Sequence, residues 1–389
     1  MANCSTFSIA HTDLTSQPFN NAQRTVRILV PNNLHGKGLR IKFSNYYGKD
    51  PVWVGNASIA LSDNRGELIE DSIMPLTVHG DSSFAIVPRR DVYSDYIEIE
   101  LHPGQVLAVS LYYPSESKVV SGNLIGNFAM RSVRGDYCRE TKLPQAILWT
   151  KLSHSLMPWD VSSPVTTLSG VVINANKDYP TPRVIAAFGD SIMQQGAWTT
   201  PFMARLYKRY PGEVSFCNLG IGGNRLLHPS PTMIKGLFGN SGLERFSYDL
   251  LPIEGLTHVI FALGTNDLGL PGRDGAKSEE LITLQEYIDA VTGLSQELRE
   301  RKIKLFVGTL LPREIDIVYS KAREELRIAI NEWILSCGLF DGTIDIAASV
   351  ADEDGVGMCR EYSQPDGLHP NILGGKIIAE SIDLDMFSE

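Results

Sequence analysis

The feature that most constrains this fold is a single change of hydrophobic period near residue 180. From Arg24 to Pro114, apolar residues fall in short runs bounded by turn signals: TVRILV, GLRIKFSNYYG, VWVGNASIAL, SSFAIV, YIEIEL and VLAVSLYY. In the second run Leu39, Ile41 and Phe43 alternate with Arg40, Lys42 and Ser44, which turns one face to a core and one to water. Such alternation marks antiparallel sheets stacked as a sandwich, since a parallel strand buried on both faces has no reason to alternate. A jelly-roll-like β-sandwich is therefore expected over residues 1–178. Residues 115 to 170 read as irregular, with Trp149 and Trp159 among Ser, Pro and Gly. They are either loop wrapping the sandwich or a surface over a neighbouring site. The run from Val171 to Asn174 reads as a last strand.

The prolines of Lys177 to Pro182 halt both helix and central strand, so this stretch reads as a linker. Beyond it RVIAAF, VSFCN, HVIFAL and KLFVGT are short continuous apolar runs, and the text between them, such as LQEYIDAVTGLSQELRERK, has helical spacing. This β-α alternation predicts an α/β domain over 179–389, a parallel sheet covered on both faces. Sheets of that kind place their sites at the carboxyl ends of the strands.

Two domains of ordinary size fit a chain of 389 residues. With Lys+Arg 35 against Asp+Glu 45, no overall positive field draws the protein to nucleic acid or to an anionic membrane, and neither is expected as a partner. Cys4, Cys138, Cys217, Cys337 and Cys359 are scattered without a C-x-x-C pair, and no histidine has metal-ligand spacing with a second His, Cys or carboxylate. Reduced thiols, no metal and no cofactor are expected. The N-terminus lacks a basic region followed by an apolar stretch, and no segment approaches the ~18 apolar residues that span a bilayer. A cytoplasmic location is the corresponding expectation, or a secreted one had a leader been trimmed.

Four places in the second half carry residues suited to chemistry. The first predicted strand runs into Gly189-Asp190-Ser191, where the glycine lets the backbone turn sharply and present the serine hydroxyl at the sheet edge. Taken alone this is equally a structural turn. The second strand ends in Asn218-Leu219-Gly220-Ile221-Gly222-Gly223-Asn224, whose glycines let backbone N–H groups approach an oxyanion or a phosphate. It has neither G-K-[ST] nor G-x-G-x-x-G, the patterns of nucleotide loops. The third strand ends in Gly264-Thr265-Asn266-Asp267, where the asparagine is either a turn cap or a functional amide. Near the C-terminus, in Asp366-Gly367-Leu368-His369-Pro370-Asn371, a carboxylate and an imidazole three apart meet on one side of a turn. Acyl transfer needs a nucleophile, a base, an orienter of the base and donors for the oxyanion. Ser191, His369, Asp366, and the donor set of Ser191 N–H, Gly223 N–H and the Asn266 amide fill those roles together.

The blocks FGDSIMQQG, NLGIGGNRLL, LGTNDLG and DGLHPN, in that order, resemble the four blocks of the SGNH hydrolases, the GDSL-type esterases and lipases. The resemblance runs from about Arg183 to the C-terminus. It implies a flavodoxin-like three-layer α/β/α fold, a nucleophile at Ser191, an oxyanion glycine at Gly223, an oxyanion asparagine at Asn266 and a D-x-x-H pair at Asp366 and His369. The text GNSGLERFSYDLLPIEGLTHVIFALGTND further looks like the subgroup with an N-terminal β-domain. The residue after the serine is Ile192, where the common motif has leucine, an apolar change.

Secondary candidates are His228 as a residue at the substrate mouth, Arg225 as a partner for a buried carboxylate such as Asp190, Asn224 beside it, and Trp198 as a wall of the acyl pocket. The reading is a serine ester hydrolase acting on short acyl esters, with acetyl on a carbohydrate as substrate and Trp149 or Trp159 as stacking platforms. Lysophospholipase or lipase activity, and acyl transfer, use the same residues. The alternative of another class is a carbohydrate-binding protein with a silent hydrolase half.

Overall fold

The computed structural model describes residues 2–114, 117–124, 128–144, 147–150, 165–313 and 320–388. They form two units, 1–182 with 210–217, and 183–209 with 218–389.

The first unit is built on two antiparallel sheets. One orders its strands Asn3–Ser8, Leu168–Ala175, Gly36–Ser44, Asp91–Tyr93. The other orders them Ile147–Thr150, Ala129–Arg134, Arg24–Pro31, Val106–Tyr113, Asn56–Ser62, Met74–Pro75. Leu39, Ile41 and Phe43 are all fully buried, as are Val26, Ile28, Leu107, Val109 and Leu111, so the alternation read from the sequence is the core face.

Three features depart from the sequence reading. Part of the stretch from 115 to 170, read as irregular, is sheet: Ala129–Arg134 pairs with Arg24–Pro31 on one side and Ile147–Thr150 on the other, since main-chain pairing needs no apolar alternation. YIEIEL is no continuous strand: beyond the pairing of Asp91–Tyr93 with Lys42 to Ser44, it meets the same strand only at isolated bridges, Ile97 with Leu39 and Leu101 with Gly36, because the register slips by one residue before each. Conversely Asn3–Ser8 is a strand despite its polar composition, since main-chain hydrogen bonds to Leu168–Ala175 ask nothing of the side chains. Trp159 lies outside the described residues, and so does the side chain of Trp149.

The parallel sheet has the strands β1 (Arg183–Gly189), β2 (Val214–Asn218, of which residues 214–217 are counted with the first unit), β3 (Leu256–Ala262), β4 (Lys304–Gly308) and β5 (Gly342–Ile344), in the order β2-β1-β3-β4-β5. β1 with β3, β3 with β4 and β4 with β5 pair in parallel. This is the flavodoxin-like order. Six of seven residues in β1 and all five in β2 are buried, as strands covered on both faces require. Helices α1 (Ser191–Gln194), α2 (Thr199–Arg209), α3 (Gly242–Arg245), α4 (Thr265–Gly269), α5 (Leu284–Glu300), α6 (Lys321–Ser336), α7 (Ile346–Val350) and α8 (Ile372–Ser381) complete the layers. The strand order reverses between β1 and β3, the place where open α/β sheets hold their ligands. α1 follows β1 and α4 follows β3, so Ser191 and Asn266 flank that switch point. Among the described residues no helix is long and apolar enough to cross a membrane.

Candidate active site

β1 delivers the chain to Gly189, and Asp190 then caps α1 by accepting from the Ile192 N–H at 3.0 Å. The cap fixes the first helical residue, Ser191, whose Oγ lies 2.7 Å from His369 Nε2. His369 Nδ1 is 2.6 Å from Asp366 Oδ2. The other oxygen of Asp366 accepts from the N–H groups of Leu368 and His369, both at 3.0 Å. With Oδ1 so occupied, the carboxylate meets the ring through Oδ2, which assigns the proton to Nδ1 and the lone pair of Nε2 to Ser191. Burial alone raises the Asp366 carboxyl, but the His369 hydrogen bond and charge and the two N–H groups outweigh it and bring it down to about 2. Asp366 is therefore ionised at any ordinary pH. The histidine loop is tied to the nucleophile loop by Gln364, whose side chain donates to Gln195 Oε1 at 3.0 Å.

The glycine loop after β2 lies against α1. Asn218 Oδ1 accepts from the Gly220 N–H at 2.9 Å, and Gln194 Oε1 from the Gly222 N–H at 2.6 Å. A Cβ on Gly220 would stand 2.5 Å from Gln194 N, so no other residue permits this approach. Gly223 has φ +72° and is covered by Phe238, whose ring a Cβ would meet at 2.3 Å. Among the described residues the N–H groups of Ser191 and Gly223 have no acceptor. α4 is capped by Gly264 without a side-chain bond, so Asn266 is no turn cap. Its Nδ2 donates to Asn224 O at 3.1 Å and to Asp190 Oδ2 at 3.3 Å.

Two buried carboxylates carry the opposite shift to Asp366. Burial pushes Asp190 up to about 6 against the pull of the Ile192 N–H, His369 and Arg245. Asp267, fully buried, is likewise raised by burial to about 6, although it accepts from the N–H groups of Leu226 at 2.7 Å and Leu227 at 3.2 Å. A folded carboxyl that titrates near 6 holds a proton that the unfolded chain releases near 3.9, so its contribution to stability falls as pH rises from about 4 to 6. Buried His11, lowered to about 4, works in the opposite direction over an overlapping range, so the test is a difference between proteins. Asp267→Asn should gain stability relative to the parent between pH 4 and pH 7, by up to about 3 kcal/mol. Denaturant unfolding of both at the two pH values measures this, and a difference that stays constant or shrinks would refute the buried-charge reading.

The secondary candidates are placed as follows. Arg225 does not pair with Asp190: its buried guanidinium runs the other way, to Glu280 Oε2 at 2.6 Å and to the Pro229 carbonyl. His228 sits near the carboxylates of Glu280 and Glu286, on the Arg225 side. Trp198 is fully buried against Phe202 and lines a small cavity beneath Asp190 and Ile192 together with Thr265 and Leu310. Asn224 is an interior link, its Nδ2 donating to the carbonyls of Phe238 at 2.8 Å and Asn240 at 2.7 Å. Sequence reasoning gave no role to Gln194, Asp267 or Arg245, although all three lie within its blocks FGDSIMQQG, LGTNDLG and GNSGLERFSYDLL. Among the described residues no group of three or more His, Cys, Asp or Glu is placed to hold a metal.

A flavodoxin-like domain that gathers serine, imidazole and carboxylate at the carboxyl edge of its sheet has the architecture of an ester hydrolase. Residues 187–377 match the GDSL-like Lipase/Acylhydrolase family, and through this domain the protein is a member of that family and an ester hydrolase. No curated protein matches the chain. Similar solved structures include a GDSL-like lipase from Bacteroides thetaiotaomicron at 16% identity, over 54% of this chain and 93% of that one, with a TM-score of 0.39. An acetyl xylan esterase is 19% identical over 53% and 98%, with a TM-score of 0.36. A carbohydrate acetylesterase from Sinorhizobium meliloti is 18% identical over 53% and 98%, with a TM-score of 0.38.

Proposed function

We propose that the protein cleaves short-chain acyl esters through an acyl-enzyme on Ser191, with O-acetyl groups on a carbohydrate as the natural substrate class. The observation that carries this reading is the unbroken hydrogen-bonded chain from Asp366 through His369 to Ser191 Oγ. Ser191 Oγ attacks the ester carbon while His369 Nε2 takes its proton. The tetrahedral oxyanion accepts from the N–H groups of Ser191 and Gly223 and from the Asn266 amide. Of the two bonds Asn266 makes, the longer one to Asp190 is exchanged for the oxyanion, and the one to Asn224 O keeps the amide in place. His369 then returns the proton to the leaving alcohol. Water attacks the acyl-enzyme with His369 as base, which frees the carboxylic acid and restores Ser191.

A second reading, hydrolysis of longer acyl esters, is favoured by Ile372 and Leu373, which are 65% and 45% exposed at the start of α8, three and four residues beyond His369. A series of p-nitrophenyl esters from acetyl to octanoyl, run beside a panel of O-acetylated sugars, separates the two. The proposal expects kcat/KM to fall about tenfold or more across the series and acetate to be released from the sugars. A rise toward octanoyl would replace it with the long-chain reading.

A further inference from the structure

We propose that Arg245 is a positioning residue that sets the oxyanion donors at their working distance from Ser191. The inference rests on the catalytic reading above and adds a residue that contacts none of the reacting atoms. Arg245 enters on α3, the four-residue helix after the loop that follows Asn224, and its side chain is fully buried. Nη2 donates to the Gly189 carbonyl at 2.7 Å, Nη1 to the Leu219 carbonyl at 2.8 Å, and Nε to Asn224 Oδ1 at 2.8 Å. The guanidinium lies over the Phe188 ring, 4.0 Å from its centroid, and pairs with Asp249 Oδ2 at 3.3 Å.

These acceptors belong to the parts the chemistry must hold together. Gly189 stands two residues before the nucleophile, and its carbonyl also accepts from the Ile221 N–H at 3.1 Å. Leu219 opens the glycine loop. Asn224 closes it and offers the main-chain carbonyl that holds the Asn266 amide. One rigid plane thus reads the ends of two strands and the last residue of the loop, and through that residue the third donor. Lysine offers a single point of charge on a flexible stem and cannot span three acceptors in fixed directions. Phe188 beneath the plane removes its remaining freedom to tilt.

The expected consequence is a defect in turnover with substrate binding left intact. On p-nitrophenyl acetate, Arg245→Lys should lower kcat about 10- to 100-fold, with KM unchanged within about twofold, because small misplacements of catalytic donors cost rate at this scale. The discriminating measurement is a double-mutant cycle with Asn266→Ala. If Arg245 acts by placing the oxyanion donors, Arg245→Lys should cost under about threefold in the Asn266→Ala background. An equal loss in both backgrounds, or no loss in the parent, overturns the proposal. Should Arg245→Lys fail to fold, Asn224→Ser, which removes the acceptor between Arg245 and the loop, is taken through the same cycle with the same criterion. Ser191→Ala run in parallel separates the two levels of the argument. Full activity in that variant defeats the catalytic reading itself, whereas an inactive Ser191→Ala beside additive losses defeats only the role of Arg245.

Discussion

Ser191→Ala should lower kcat for p-nitrophenyl acetate by about 10⁶-fold, the scale at which removing a serine nucleophile leaves only binding and the oxyanion donors. Alanine leaves the α1 cap untouched, because that bond is made by Asp190 to the Ile192 N–H, so the fold should be retained. His369 keeps Asp366 at 2.6 Å and loses only its bond to Oγ. Covalent labelling by a fluorophosphonate must vanish with activity, since both need the same oxygen. A variant that kept a tenth of the parent's turnover would place the nucleophile elsewhere.

Asp366→Asn should cost about 10⁴-fold in kcat with little change in KM, because the carboxylate contributes by fixing the imidazole tautomer and stabilising the imidazolium. An asparagine can keep the two N–H bonds from Leu368 and His369 through Oδ1, so the turn survives. Its Nδ2 then points a donor at Nδ1, which turns the Nε2 proton toward Ser191 and removes the base. The bland alternative is that Asp366 serves only as the cap of this turn. In that case the variant would lose under about tenfold, and steady-state kinetics on p-nitrophenyl acetate decides between the two. The carboxylate's position favours the larger effect, since its second oxygen is directed at the ring at 2.6 Å and its charge is retained down to about pH 2.

The parts of the site legible in the sequence are those whose signal is local. Gly189-Asp190-Ser191 and Gly264-Thr265-Asn266 were visible because a buried strand ending in a sharp turn is a short-range pattern. Asp366 and His369 were visible because three residues of a turn place them side by side. The β-α alternation was legible for the same reason, and so was the core face Leu39, Ile41 and Phe43. Where local signal misleads, a tertiary alternative has won. YIEIEL has strand composition, but slips of register leave it only isolated bridges to Leu39 and Gly36, and Asn3–Ser8 has no apolar pattern yet pairs through its main chain. Arg225 stands next to the glycine loop in sequence, which suggests a buried carboxylate such as Asp190 as its partner, while its side chain runs to Glu280, 55 residues away.

The sequence alone determined the two periods, the covered parallel sheet that follows from the second, and the identity of Ser191, Asp366, His369, Gly223 and Asn266 as candidates, while the flavodoxin-like fold was what the resemblance of its blocks implied. The tertiary structure alone decided which of these groups meet and what holds them. Arg245 shows the physical reason. Its acceptors include main-chain carbonyls 56 and 26 residues away, and a carbonyl is the same group whatever the residue that bears it. Such a bond leaves no residue type, spacing or period to be read, and it exists only once the strands are laid side by side.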